Sequence, residues 1–202
     1  MKAVCIQIAD NLASVSVSRN EVIAQGGVWV PRLARRAMLE GLTGAEHTCG
    51  IPGTLGGLVC MNGGSQRKGI GESIVEVTSV AVDGQLHHRD RDSCQFGYRT
   101  SVFQRSDDVI VGVRLSFELV SDKGAVRHEM LGILRNRRSK FPLRDANCGS
   151  VFLSDPSMYE LHGPPGAVID RLGLKGKQIG GLSRLLWGCD IFKINGLPAA
   201  FR

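Results

Sequence analysis

A chain of 202 residues, 43% hydrophobic and 22% charged, with 26 glycines and 7 prolines, has room for one ordinary domain or two small ones. That composition excludes collagen-like, coiled-coil and wholly disordered chains, and no apolar run reaches the roughly 20 residues that span a bilayer. The 25 Lys and Arg against 19 Asp and Glu give a net charge of +6, a field that favours anionic partners such as phosphorylated metabolites or nucleic acid.

From Met1 the chain meets Gln7 and Asp10 too early for a secretory core, so a soluble, cytoplasmic protein with no membrane segment is expected. Val15, Val17 and residues 22–24, bracketed by Ser18-Arg19-Asn20, predict two short strands ending at Gly26-Gly27. Pro31 predicts the start of a helix that turns Leu33, Ala34, Ala37 and Met38 to one side and stops at Gly41. Residues 41–71 read as too rich in glycine for a regular element. Residues 73–82 predict a strand, Asp83-Gly84 a turn, and 85–88 the return strand, with His87 and His88 facing solvent.

Val109, Val111, Val113, Leu115, Phe117 and Leu119 alternate with Ile110, Gly112, Arg114, Ser116 and Glu118, which predicts one unbroken strand with an apolar face. Residues 127–140 predict a helix ending in Arg135, Arg137, Arg138 and Lys140, stopped by Pro142. Pro164-Pro165 through Leu172, with Gly173 behind it, predict another. Strands and helices mix without strict βαβ alternation, so the expected class is α+β. Ser121-Asp122-Lys123-Gly124 is the expected junction, dividing residues 1–122 from 123–202.

The six cysteines are scattered, none in Cys-x-x-Cys, and the five histidines lack ligand spacing; free thiols and no metal are expected. Aromatics make up 5%, and no RNP-like or helix-turn-helix pattern occurs, so a nucleic-acid partner has charge alone behind it and none is expected.

Three places are suited to chemistry. Gly50-Ile51-Pro52-Gly53-Thr54-Leu55-Gly56-Gly57, continued by Met61-Asn62-Gly63-Gly64, is either a cradle of backbone amides for phosphate oxygens or a glycine-rich connection. It matches neither a Walker A loop nor a Rossmann turn. In Phe96-Gly97-Tyr98-Arg99-Thr100-Ser101-Val102-Phe103, Arg99 is either a partly desolvated anion clamp or a surface arginine stacked on Tyr98. In Asn147-Cys148-Gly149-Ser150, the serine is a nucleophile, a proton donor or a turn residue, and spacing alone favours the turn.

The order of these segments resembles the UDP-N-acetylenolpyruvoylglucosamine reductase family, flavoenzymes of peptidoglycan precursor synthesis. The glycine segment is similar to its flavin-binding stretch. Phe96-Gly97-Tyr98-Arg99-x-Ser101-x-Phe103 resembles its arginine motif, and Gly149-Ser150-Val151-Phe152 its serine motif. Gly173-Leu174-Lys175-Gly176 with Ile179-Gly180-Gly181 resembles a further family segment. The resemblance covers residues 3–181 and implies a flavin-binding α+β domain of the vanillyl-alcohol-oxidase type, followed by a C-terminal substrate domain.

It further implies FAD held by Gly50, Ile51, Pro52, Gly53, Thr54, Gly56, Gly57, Asn62 and Gly63, with NADPH as hydride donor. A UDP-sugar enolpyruvyl ether would be the substrate, touched by Tyr98 and Lys140. Arg99 would be the catalytic cation and Ser150 the proton donor. The short stretch between Arg99 and Lys140 resembles the family's second type. The family carries a glycine-serine-asparagine loop before this region and a glutamate after it, which implies a chain short at both ends. After Gly181 the pattern is lost, at Leu182-Ser183-Arg184-Leu185-Leu186-Trp187. Two expectations follow: a reductase of this family, or a nucleotide-binding remnant of it that does not turn over.

Overall fold

The computed structural model describes residues 8, 10–140, 147–150, 152, 156–174, 177–179, 182–184 and 191–194. They divide into two compact units, 1–134 and 135–202.

In the first unit a hairpin of β1 (Val15–Ser18) and β2 (Glu21–Gln25) turns at Arg19, whose φ is +53. Helix α1 (Val30–Leu39) follows with proline in its first turn and buries Leu33, Ala34 and Ala37; Gly41, at φ +77, ends it. Next come β3 (Leu42–Thr43), α2 (Leu55–Cys60), β4 (Ile74–Val80), β5 (Leu86–Asp90), β6 (Val109–Ser116), β7 (Glu118–Leu119) and α3 (Lys123–Lys140). The main sheet runs β1-β2-β6-β4-β5, antiparallel throughout, and β3 pairs with β7 apart from it. Val22, Ala24, Val77, Val113 and Leu115 join the apolar faces of α1 and α2 in one core.

Four expectations need correction here. The glycine-rich stretch does hold a helix, α2, because Thr54 caps it: its Oγ1 accepts from the Gly57 N–H at 3.5 Å. The long strand is not evenly alternating. Ile110 pairs with Ser79 and Gly112 with Thr78, so Val111 sits in a bulge, and burial passes from Ile110 to Val113, Leu115 and Phe117. One extra residue transfers everything beyond it to the other face. Helix α3 starts at Lys123 and not at Arg127, because Asp122 Oδ1 caps it, accepting from Gly124 N–H at 2.8 Å and Ala125 N–H at 3.1 Å. Finally, His87 is half-buried against Asp108, because Ser79, Arg89 and Asp108 gather polar groups beneath it.

The second unit contains β8 (Asn147–Ser150), α4 (Pro156–His162), α5 (Pro165–Arg171), β9 (Gln178–Ile179), β10 (Leu182–Arg184) and β11 (Ile191–Ile194). Its sheet order is β8-β11-β10-β9. The serine motif is thus a strand and not the turn its spacing favours, held by pairing of β8 with β11. Helix α5 begins after Pro164 and ends near Gly173, at φ +65, as expected, whereas α4 carried no signal beyond Pro156. The stop expected at Pro142 lies outside the described residues.

Candidate functional site

The bulge in β6 is what seats the glycine segment. Gly26 lies against it so closely that a Cβ there would stand 2.2 Å from the Ile110 carbonyl oxygen, and its N–H donates to the Val111 carbonyl at 2.8 Å. The Gly26 carbonyl in turn accepts from Gly56 N–H at 2.8 Å, and a Cβ on Gly56 would meet Gly26 and Ile110 oxygens at 3.3 and 3.4 Å. Gly26 and Gly56 are therefore packing residues: they let α2 lie backbone to backbone on the sheet.

Gly53 and Gly57 serve nothing of the kind. Gly53 has φ +123, and a Cβ there would find nothing within 4 Å; a Cβ on the exposed Gly57 would meet Thr54 Oγ1 at an ordinary 3.6 Å. The N–H groups of Gly53 and Thr54 have no acceptor among the described residues, while Leu55 donates to Val28 and Leu58 to Thr54. Two amides thus lack a partner among the described residues, in a segment where Gly53 and Gly57 carry no side chain. Gly50 and Ile51 are half-buried, Pro52 is exposed, and Gly63 is buried against Leu58.

Beyond α2 the chain is fastened to the arginine motif. Asn62, at φ +40, donates through Nδ2 to the Gly97 carbonyl at 2.8 Å and accepts from Gly71 N–H at 2.9 Å through Oδ1. Ser101 Oγ, fully buried, donates to the Cys60 carbonyl at 2.6 Å, and Gln104 Nε2 donates to the Arg99 carbonyl at 3.0 Å. These bonds hold a tight turn, bridged between Gly97 and Thr100, at whose tip Tyr98 is 62% exposed and Arg99 lies at φ +55. The Arg99 side chain is exposed and unpaired among the described residues, neither desolvated nor stacked. Arg89 does lie over an aromatic face, 5.5 Å from the Phe103 centroid.

Structure thus brings together the glycine segment, Tyr98 and Arg99. Lys140 ends α3 and Ser150 ends β8 in the second unit; their side chains lie outside the described residues. Sequence reasoning missed Ser101 as a fastener, although a serine between Thr100 and Val102-Phe103 in an apolar run was a usable sign.

The electrostatics nearby are structural. Asp108 Oδ2 accepts from Arg89 at 2.7 Å and Ser79 at 2.9 Å, with His87 Nδ1 at 3.4 Å. Burial would raise its carboxyl, yet these hydrogen bonds prevail and hold the pKa below the usual value. Burial pushes His47 below the ordinary imidazole range against the opposing pull of Glu72. His47 Nε2 and Glu46 Oε1 are buried without a partner among the described residues. No group of three His, Cys, Asp or Glu among those residues is arranged to hold a metal, and none of their helices is long and apolar enough to cross a membrane.

A family model described as an FAD binding domain matches residues 2–90. UDP-N-acetylenolpyruvoylglucosamine reductase 1 of Corynebacterium glutamicum is 42% identical over 175 residues, covering 87% of this chain and 52% of that protein. The chain belongs to the UDP-N-acetylenolpyruvoylglucosamine reductase family. Reductase 2 of Bacillus cereus is 34% identical over 175 residues, 85% of this chain and 54% of that one. The crystal structure of the reductase from Thermus caldophilus superposes with a TM-score of 0.73 at 26% identity, covering 86% of this chain and 61% of that one. The fold is the α+β FAD-binding architecture of this family. The chain spans about half the length of the curated relatives it matches.

Proposed function

We propose that this chain binds FAD and serves the NADPH-dependent reduction of a UDP-N-acetylglucosamine enolpyruvyl ether to UDP-N-acetylmuramate, in cytoplasmic peptidoglycan precursor synthesis. The observation that carries this reading is the joint between the two motifs: Asn62 to Gly97 and Ser101 to Cys60 hold the arginine turn against the end of the glycine segment. The residues present fit the cofactor, since two unpaired amides beside Gly53 and Gly57 suit a diphosphate, for which a Cβ at Gly57 would compete.

Bound FAD would accept hydride from NADPH and deliver it to the substrate's vinyl carbon. The chain's own residues answer the charge that this creates. Gly53 and Thr54 hold phosphate oxygens, with Gly50, Ile51, Pro52, Gly56, Asn62 and Gly63 shaping the segment. Arg99, always charged, pairs with the substrate carboxylate and stabilises the negative charge that develops beside it; Tyr98 borders the same substrate. Ser150 gives a proton to the carboxylate-bearing carbon next to the one that takes the hydride, and Lys140 meets the substrate phosphates. Residues 1–122 serve as cofactor domain and 123–202 as part of the substrate domain.

The test is anaerobic. The chain is loaded with FAD, desalted, mixed with NADPH and then with the enolpyruvyl substrate. Flavin absorbance that bleaches and returns supports the reading. A chain that binds FAD without bleaching and return is the remnant, and a colourless chain contradicts both.

A further inference from the structure

Trp29 is out of keeping with its surroundings. Val28 and Val30 on either side are buried at 0% and 1% exposure, yet the indole is 49% exposed. Its Nε1–H has no acceptor among the described residues. An aromatic side chain of this size left half in water, beside a candidate ligand site, points to something that covers it.

Its position is set by a β-bridge to Thr54. Val30 N–H donates to the Gly53 carbonyl at 3.0 Å and Leu55 N–H to the Val28 carbonyl at 2.8 Å. These bonds flank the Trp29–Thr54 pair, so the two residues form a non-hydrogen-bonded antiparallel pair. In that geometry the side chains stand on the same side, with Cα atoms about 4.5 Å apart. The indole therefore rises beside the unpaired amides of Gly53 and Thr54, where Gly53 and Gly57 contribute no side chain. The arginine turn is fastened at the opposite end of α2, through Cys60 and Asn62. The six residues of that helix separate the two ends by about 9 Å.

Resting on the FAD reading above, we infer that Trp29 is the stacking surface for the adenine ring of the dinucleotide. A reacting ring placed beside Arg99 and a diphosphate on Gly53 and Thr54 leave the purine on the Trp29 side. An indole face accepts a purine by stacking and needs no hydrogen-bond readout.

Dissociation constants for FAD and FMN, measured by equilibrium dialysis on the whole chain and its variants, test this without turnover. Trp29→Ala should weaken FAD about tenfold, near 1.4 kcal/mol, and leave FMN, which lacks adenine, within twofold. Trp29→Phe should restore most of the FAD affinity. Unchanged FAD binding by Trp29→Ala, or equal loss of FAD and FMN, overturns the inference while leaving the cofactor reading in place. A parent chain that takes up no flavin overturns both.

Discussion

Replacing Asn62 by alanine cuts the joint between the glycine segment and the arginine turn. The substitution removes two hydrogen bonds, 2.8 Å to the Gly97 carbonyl and 2.9 Å from Gly71 N–H, each worth about 0.5–1.5 kcal/mol net. It also places a residue without asparagine's tolerance at φ +40, at a further cost of about 1 kcal/mol. The sum is a loss of about 2–4 kcal/mol, which lowers the melting temperature by roughly 5–15 °C for a chain of this size. Asn62→Asp keeps the acceptor for Gly71 but sets a carboxylate oxygen against the Gly97 carbonyl, so it too should melt lower than the parent, the loss arising on the arginine side. Thermal unfolding followed by circular dichroism reads both. An Asn62→Ala chain melting within 2 °C of the parent, about 1 kcal/mol or less, would refute the idea that this amide joins the two motifs.

Gly56→Ala and Gly57→Ala, adjacent in α2, should move in opposite directions. The first drives a Cβ onto the Gly26 and Ile110 carbonyl oxygens and should destabilise by about 1–3 kcal/mol. The second should stabilise the unliganded chain by about 0.5–1 kcal/mol while weakening FAD, as denaturant titration and dialysis would show. For Asp108, a folded pKa held below its unfolded value contributes stability above the ordinary carboxylate range that is lost as pH falls through the folded value. Asp108→Asn should therefore melt lower than the parent at pH 7, with the gap closing toward pH 3; a constant gap would contradict the assignment. His47 has the opposite dependence. Because burial lowers its pKa, the unfolded chain takes up a proton that the folded chain refuses once pH drops below about 6.5. Stability should fall from there downward, and His47→Leu should flatten that slope in melts taken between pH 7.5 and 5.

Much of the fold is readable in residue order because its signals are local. Pro31 and Gly41 bound α1, Asn20 and Gly84 sit at hairpin turns, and alternating valines mark β6. The bulge at Val111 is not readable, since valine and Gly112 suit either face of a sheet; only pairing with β4 decides which residue is extra. The glycine segment signals close approach without saying to what. Coordinates are needed to divide Gly26 and Gly56, which meet backbone, from Gly53 and Gly57, which meet open space. Trp29 belongs to no periodic pattern, and its place beside Thr54 follows from a bridge across 25 residues of chain.

The proposed cofactor site is made by the unpaired amides of Gly53 and Thr54, with no side chain at Gly57 beside them, and by the turn at Tyr98 and Arg99. Amide proton and nitrogen chemical shifts of the isotope-labelled chain, recorded as FAD is added, report on each of these positions separately. The largest changes are expected at Gly53, Thr54 and Gly57, with smaller ones at Tyr98 and Arg99, saturating at one FAD per chain. Changes that leave residues 53–57 untouched, or gather on β5 and α3 instead, would contradict that site.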